Sequence, residues 1–389
     1  MNCGRAHGAI AREPIDFNRF DIAAGSRLLL LAPHPDDEAL ATGGLLQRAV
    51  TAGAIVRVVF LTDGENNPWP QRAAERRWRI SAQDRARWGA RRRSEALRSL
   101  RTLGVAPDRA SFLGLPDQRL TAALNAGDQA LPRALRESLD EFQPTHIICA
   151  SAQDHHPDHS ALAVALRSAS AHRRRAGTVR LFEYVVHDRR QRPVGRCARI
   201  LLTPEEIERK RAAIACHASQ LIFRRDELFA FAGSEEVFYE LGPPGATELH
   251  HPVRTVELEG DQLVLCLRRL PCPRAFGPTT VHLLFPELHG IRRVMRIPLP
   301  WHSGPAPVLF ADDRAYPHSA AYRGGPYRGE LRVPMAPLPR LVPGYVKLES
   351  RFGFFDEAGW RTLPLLKLRS GRRSLTAAAR EALSAGLGG

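Results

Sequence analysis

Through roughly the first 240 residues, short and almost wholly apolar runs alternate with segments of helical periodicity, and this alternation limits the fold more than any other feature of the chain. The runs 27–32 (RLLLLA), 55–61 (IVRVVFL), 110–113, 145–150 (THIICA) and 179–186 have the length and apolar character of buried parallel strands. Between them, 38–52 places Leu40, Leu45, Leu46 and Ala49 on one helical side, with Gly53 as a C-cap. Segments 71–103, 129–142, 160–171 and 204–217 also read as helices. Strands that alternate with helices predict an α/β fold, Rossmann-like, with a mostly parallel sheet and helices on both faces.

Past residue 250 the character changes. Segments 253–267, 280–286, 292–297, 308–311, 329–333 and 344–355 read as short alternating strands punctuated by Pro and Gly, and helical periodicity returns only at 374–387. The expected organisation is an irregular segment over 1–25, an α/β domain over 26–245, a C-terminal β-rich accessory module over 250–370 that reads as a sandwich, and a helix or tail over 371–389.

Two clusters of metal-ligand chemistry sit where strands end. His34-Pro35-Asp36-Asp37-Glu38 follows the first apolar run and opens a helix. Asp154-His155-His156-Pro157-Asp158-His159 follows the fourth and opens another. Ligands of open α/β sheets bind at the carboxyl ends of strands, and imidazole with carboxylate is a donor set that suits zinc. Read singly, the first also fits a polar strand-to-helix turn with an Asp N-cap, and the second a histidine-rich surface loop. Together they predict three protein ligands with an open position, the arrangement of a catalytic site. The six cysteines lack the spacing of a zinc knuckle or redox pair; Cys149 and Cys216 read as small core residues, and Cys266 and Cys272 could pair.

The two motifs resemble those of the PIG-L/LmbE family of N-deacetylases. Its Ala-His-Pro-Asp-Asp-Glu opening is met with Pro33 in place of alanine, and its His-Pro-Asp-His is matched by His156 to His159. Thr62-Asp63-Gly64-Glu65, Arg92-Arg93-Ser94-Glu95, Leu103-Gly104-Val105, Leu113-Gly114-Leu115-Pro116-Asp117 and His217-Ala218-Ser219-Gln220 follow its weaker markers in order, so the resemblance spans about 26–240. It implies His34, Asp37 and His159 as metal ligands, Asp36 as general base, and His156 as an imidazolium that stabilises the oxyanion. Asp158 is expected to orient a histidine, Glu38 to support the site or start its helix, and Arg92 and Asp117 to contact the sugar. Asp117 also fits a turn residue and Arg92 a solvated arginine. His155 takes no role, and His217 reads as structural.

What the resemblance implies is a zinc-dependent hydrolase that removes an N-acyl group, with acetyl expected, from an amino sugar or N-acetylglucosamine conjugate. Iron(II), cobalt or manganese are alternative metals. Either Asp36 or His156 could protonate the leaving amine. An amidase of thiol-sugar, glycolipid or glycopeptide conjugates uses the same site.

Charge does not point elsewhere. The chain has 56 Lys and Arg against 41 Asp and Glu, a net +15, yet only Lys210, Lys347 and Lys367 are lysines. Such a surface attracts anions, but no aromatic-interleaved basic strand, helix-turn-helix or zinc finger accompanies it, so no specific nucleic-acid partner is expected. The arginine-rich stretch 72–101 reads as a solvated helix face, with a phosphate or acidic headgroup site as the other use. No apolar h-region opens the chain and no spanning helix is legible, so a cytoplasmic location with at most peripheral membrane contact is expected. Oligomeric state is open.

Overall fold

The structure, a computed structural model, describes residues 20–187, 196–241, 251–268, 278–287, 290–300, 304–311, 317–325, 327–334, 344–349 and 355–363. The irregular start up to residue 19 and the expected helix at 374–387 lie outside them. In chain order the first part comprises β1 (Arg27–Ala32), α1 (Asp37–Leu40), α2 (Gly43–Thr51), β2 (Ile55–Thr62), α3 (Pro68–Glu75), α4 (Ala82–Thr102), β3 (Ala110–Leu115), α5 (Leu120–Asn125), α6 (Ala130–Phe142), β4 (His146–Ala150), α7 (Pro157–Ala169), α8 (Ala171–Arg175), β5 (Arg180–Tyr184), β6 (Arg196–Leu201), α9 (Pro204–Ala215), α10 (Leu221–Phe229) and β7 (Glu235–Glu240). Its seven strands form one sheet in the order β3-β2-β1-β4-β5-β7-β6. β1 to β5 are parallel, and β7 runs antiparallel to β5 and β6.

Why β1 is apolar throughout is visible in its packing. Leu28, Leu30 and Ala32 enter a core shared with Leu45, Leu46, Ala96 and Ile214 on one face. Leu29 and Leu31 enter the other, with Leu135, Leu139 and Leu162. A central strand covered on both sides has no solvent face to mark by alternation.

Several elements are more broken than the periodicity suggests. The expected helix 38–52 is two, because the chain bends at Ala41 and Thr42, where Thr42 Oγ1 donates to the Glu38 carbonyl at 2.8 Å. The expected helix 71–103 is also two: Arg76 adopts a left-handed conformation, and a Ser81/Asp84 capping box starts α4 afresh. On α4 most arginines face solvent, whereas Arg92 is buried. Cys216 is half-buried instead of in the core. α10, β6, β7 and a strand at 317–324 carry no clear sequence signal.

Glu236 of β7 fastens the start of α2. Its carboxylate accepts from the Gly44 and Leu45 amides at 2.7 and 2.9 Å and from Lys210 Nζ at 2.6 Å. Both partners are buried. Gly44 has no room for a Cβ against Leu202 and Glu236.

The remaining strands are β8 (Val253–Glu259), β9 (Gln262–Arg268), β10 (Thr280–Glu287), β11 (Gly290–Pro298), β12 (Gly304–Ala311), β13 (Pro317–Gly324), β14 (Arg328–Pro334), β15 (Tyr345–Glu349) and β16 (Arg361–Thr362). They form two antiparallel sheets, β12-β13-β14-β9-β8 and β11-β10-β15-β16. The run 253–267 is thus a hairpin, turned at Gly260 with φ 60°. The two sheets enclose a core of their own, with Val281, Leu283 and Phe285 of β10 against Leu263, Leu265 and Leu331. The alternate residue of β10, Leu284, joins Val294, Tyr345 and Trp360 in the core below β1 and α7. β10 is therefore buried on both faces.

Lys347 of β15 and Asp356 form a second buried ion pair at 2.5 Å. Burial outweighs the attraction of Lys347 and pushes the Asp356 carboxyl up to about 6.

Two outcomes follow. Glu236→Ala leaves the Lys210 charge buried without its counterion and should cost about 3–5 kcal/mol in chemical denaturation; a loss under 1 kcal/mol would contradict this account of α2. For Asp356, the folded-state pKa lies above the ordinary 3.8, so its contribution is full below pH 3.8 and declines as pH rises towards 6. The difference of about two units corresponds to about 3 kcal/mol. Unfolding free energies from pH 4 to 7 should therefore fall more steeply with pH in the wild type than in Asp356→Asn.

Candidate active site

β1 and β4 are neighbours, but the chain leaves β1 for β2 and β3 on one side and reaches β5 from β4 on the other. Loops at such a switch point diverge and leave a crevice at the carboxyl ends. The loop 33–36 after β1 and the loop 151–156 after β4 both end there, each at the start of a helix. His156 is the N-cap of α7, its Nδ1 accepting from the Asp158 amide at 3.1 Å, and Pro157 holds the first helical position.

The crevice brings three donor atoms from the two motifs into a triangle. His34 Nδ1 lies 3.2 Å from His159 Nε2. Asp37 Oδ2 lies 3.7 Å from the former and 3.4 Å from the latter. Ligands at 2.0–2.2 Å in a tetrahedron stand about 3.4 Å apart, so the spacing fits a divalent metal such as zinc. His34, Asp37 and His159 are all buried, and the ring of His156 lies 4.5 Å from that of His34.

The far nitrogens of the two histidines face carboxylates. His34 Nε2 is 3.1 Å from Asp117 Oδ1 and 3.5 Å from Asp158 Oδ2. His159 Nδ1 is 3.3 Å from Asp154 Oδ2. None of the three contacts is aligned as a hydrogen bond. A carboxylate behind a ligating imidazole fixes its tautomer and strengthens it as a donor. The carboxylates are held in turn: Asp158 accepts from the Gln118 and Leu120 amides at 2.7 and 2.9 Å, and Asp154 from the His156, Val186 and His187 amides at 2.9–3.1 Å.

Electrostatics follow from this packing. Burial lowers the pKa of His34, but Asp117, Asp158 and Asp37 outweigh it and raise the ring well above 6.5. His159 is raised against burial by Asp37 and Asp154. Asp154 would rise by burial, yet His159 and His187 hold it well below 3.8. The cluster thus favours positive charge at its centre, which a bound divalent metal would supply. His156 behaves oppositely. Burial, with His34, His159 and His187 nearby, holds it well below 6.5. Neutral, and with Nδ1 accepting from Asp158, it keeps its proton on Nε2. This differs from the imidazolium expected from sequence, because a ring surrounded by other imidazoles does not hold a further charge cheaply.

Asp36 stands beside the triangle with its carboxyl raised by burial and lowered by Arg92. Arg92 is turned inwards. It donates to the Gly64 and Pro35 carbonyls at 2.9 and 2.8 Å and to Asp36 Oδ2 at 3.1 Å. Gly64, at φ 62°, has no space for a Cβ against that guanidinium. Arg92 reaches the crevice wall but is bonded chiefly to the loop that carries Asp36, and Asp117 lies behind His34 while also lining the crevice. Both therefore contact the protein more closely than a purely sugar-binding reading anticipates. Glu38 pairs with His217 Nε2 at 2.7 Å, both buried. The other markers interlock: Ser219 Oγ donates to Glu95 at 2.5 Å, and the Asp117 amide to Glu65 at 2.9 Å.

Sequence reasoning overlooked the support given by Asp154, although the residue opens the second motif, and His187, whose Nδ1 is 3.1 Å from Asp154 Oδ1. It also overlooked Trp69, Phe223 and Phe355, which line the same cleft of about 500 Å³.

Residues 29–170 match the PIG-L family model, described as GlcNAc-PI de-N-acetylase. The 1D-myo-inositol 2-acetamido-2-deoxy-alpha-D-glucopyranoside deacetylase of Mycobacterium avium (strain 104) is 32% identical over 152 residues, 36% of this chain and 49% of that protein. Its namesake from Corynebacterium glutamicum (strain R) is 31% identical over 149 residues, 35% of this chain and 50% of that protein. The chain spans about half the length of the curated relatives it matches. Among solved structures, a deacetylase in the biosynthesis pathway of teicoplanin superposes with a TM-score of 0.45 at 23% identity, covering 55% of this chain and 97% of that one. Residues 29–170, which carry both His/Asp motifs, are a domain of the PIG-L family.

Proposed function

We propose that the protein is a zinc-dependent N-deacetylase of an amino sugar or N-acetylglucosamine conjugate. The observation that carries this reading is the triangle of His34 Nδ1, Asp37 Oδ2 and His159 Nε2 with Asp36 beside it. The names of the relatives, deacetylases of an acetamido-glucopyranoside, supply the bond and the sugar.

His34, Asp37 and His159 would hold the metal, which when bound acidifies a water and polarises the acyl carbonyl. Asp36 removes the proton from the attacking water. Its raised pKa brings it closer to the operating range of a general base than an ordinary carboxyl. Arg92 keeps that carboxylate in place through Oδ2. His156 offers Nε2–H to the developing oxyanion, a fixed donor in a water-poor site. Asp36, then protonated, returns the proton to the leaving amine. Asp117 and Asp158 orient His34, and Asp154 orients His159. Glu38 and His217 brace the helix start behind Asp36.

The zinc-loaded protein should release acetate from at least one member of a panel of free, nucleotide-linked, inositol-linked, thiol-linked and lipid-linked N-acetylglucosamine. Asp36→Asn should lose roughly 10²–10⁴-fold in kcat while binding metal as the wild type does; undiminished turnover would refute the assigned base. Asp154→Ala, which leaves every proposed ligand in place, should weaken zinc binding by roughly 10–100-fold in a competition titration.

A further inference from the structure

The segment Phe355 to Leu363 follows β15 and carries β16 of the antiparallel sheet, yet it runs along the histidine-bearing loop after β4. The Asp356 amide donates to the His155 carbonyl at 2.9 Å and the Trp360 amide to the Ala152 carbonyl at 2.7 Å. Gly359 lies so close to Ala152 that a Cβ would have no room there. His251 Nε2 donates to the Gly359 carbonyl at 3.1 Å, the Lys347–Asp356 pair closes over the same stretch, and Trp360 is fully buried. The segment is therefore fixed at several points, and its first residue is set by them.

That residue is Phe355. Its ring centroid lies 5.1 Å from that of His187 and 5.9 Å from that of His156. The side chain lines the cleft that holds Asp36, but 48% of it stays exposed. Two further aromatic rings line the cleft in the same state: Trp69 of α3 at 59% and Phe223 of α10 at 63%. α3 and α10 are joined through Asn67 Nδ2, which donates to Gln220 Oε1 at 3.2 Å. Three large rings from three separate elements thus edge one cleft while the reacting groups lie at its base. Exposed aromatic surface of this kind is retained where something covers it, and a cleft whose floor is polar and whose rim is apolar fits a ligand with the same division.

We infer that Phe355 is a specificity-determining residue of this site, selecting N-acetylated amino sugars whose aglycone is apolar. The inference rests on the deacetylase reading above. The sugar and its amide occupy the polar floor, and the aglycone covers the rim, packing against Phe355, Trp69 and Phe223. Phe355 and Phe223 lie outside the residues that match the family model, whereas Trp69 lies within them.

The test compares methyl and phenyl glycosides of N-acetylglucosamine as substrates of the zinc-loaded full chain. Phe355→Ala should raise KM for the phenyl glycoside roughly three- to tenfold, the loss of one aromatic contact. KM for the methyl glycoside, and kcat for both, should stay within about twofold. Phe355→Trp should restore the preference, which a folding defect would not allow. An unchanged KM for the phenyl glycoside, or an equal loss on both, overturns the proposal. Should the wild type deacetylate neither glycoside, the deacetylase reading is decided separately by acetate release from the conjugate panel above. The rim is then judged by equilibrium binding of phenyl glucosaminide: weaker binding to Phe355→Ala supports it, and equal binding to wild type and variant overturns it.

Discussion

A buried set of opposed charges between two adjacent parallel strands governs this structure. His34, Asp37, Asp117, Asp154, Asp158 and His159 are each at most 7% exposed. An isolated charge in that position would cost several kcal/mol, and the cluster is tolerable only because each carboxylate faces an imidazole or a backbone amide. The requirement reaches outwards. Asp158 needs the amides of Gln118 and Leu120, which fixes the chain after β3. Asp154 needs those of Val186 and His187, which fixes the chain after β5. Three strand-end segments are thus drawn to one point by hydrogen bonds that the charge cluster demands.

Arginine placement shows the same economy. Most of the positive charge on α4 points to solvent, where an ion pair such as that of Arg87 with Asp84 contributes little. One guanidinium, that of Arg92, is taken inside and satisfies two carbonyls and Asp36 together. Asp36 therefore sits between burial, which raises its pKa, and a cation that restrains the rise.

The antiparallel sheets share this framework, since β10 gives one set of side chains to their own core and Leu284 to the core of the parallel sheet. Through Trp360 and the Asp356 amide they also touch the loop that carries His156. Side chains there experience the site directly, as the proximity of Phe355 to His187 illustrates. No helix among the described residues is long and apolar enough to cross a membrane.

Local pattern was enough to read the alternation of strands and helices, the burial of β1 on both faces, and the placing of two His/Asp clusters at strand ends. These follow from side-chain periodicity and from residues close together in sequence. Helix breaks at Thr42 and Arg76 escaped because helical spacing continued across them. The tertiary structure alone decided that Arg92 turns inwards to Asp36, that Glu38 meets His217 across 179 positions, that Asp154 stands behind His159 and binds the chain after β5, and that Phe355 reaches the cleft. Each depends on how sheets and helices pack, and one side chain can satisfy a buried charge from any distance along the chain, leaving no periodic trace.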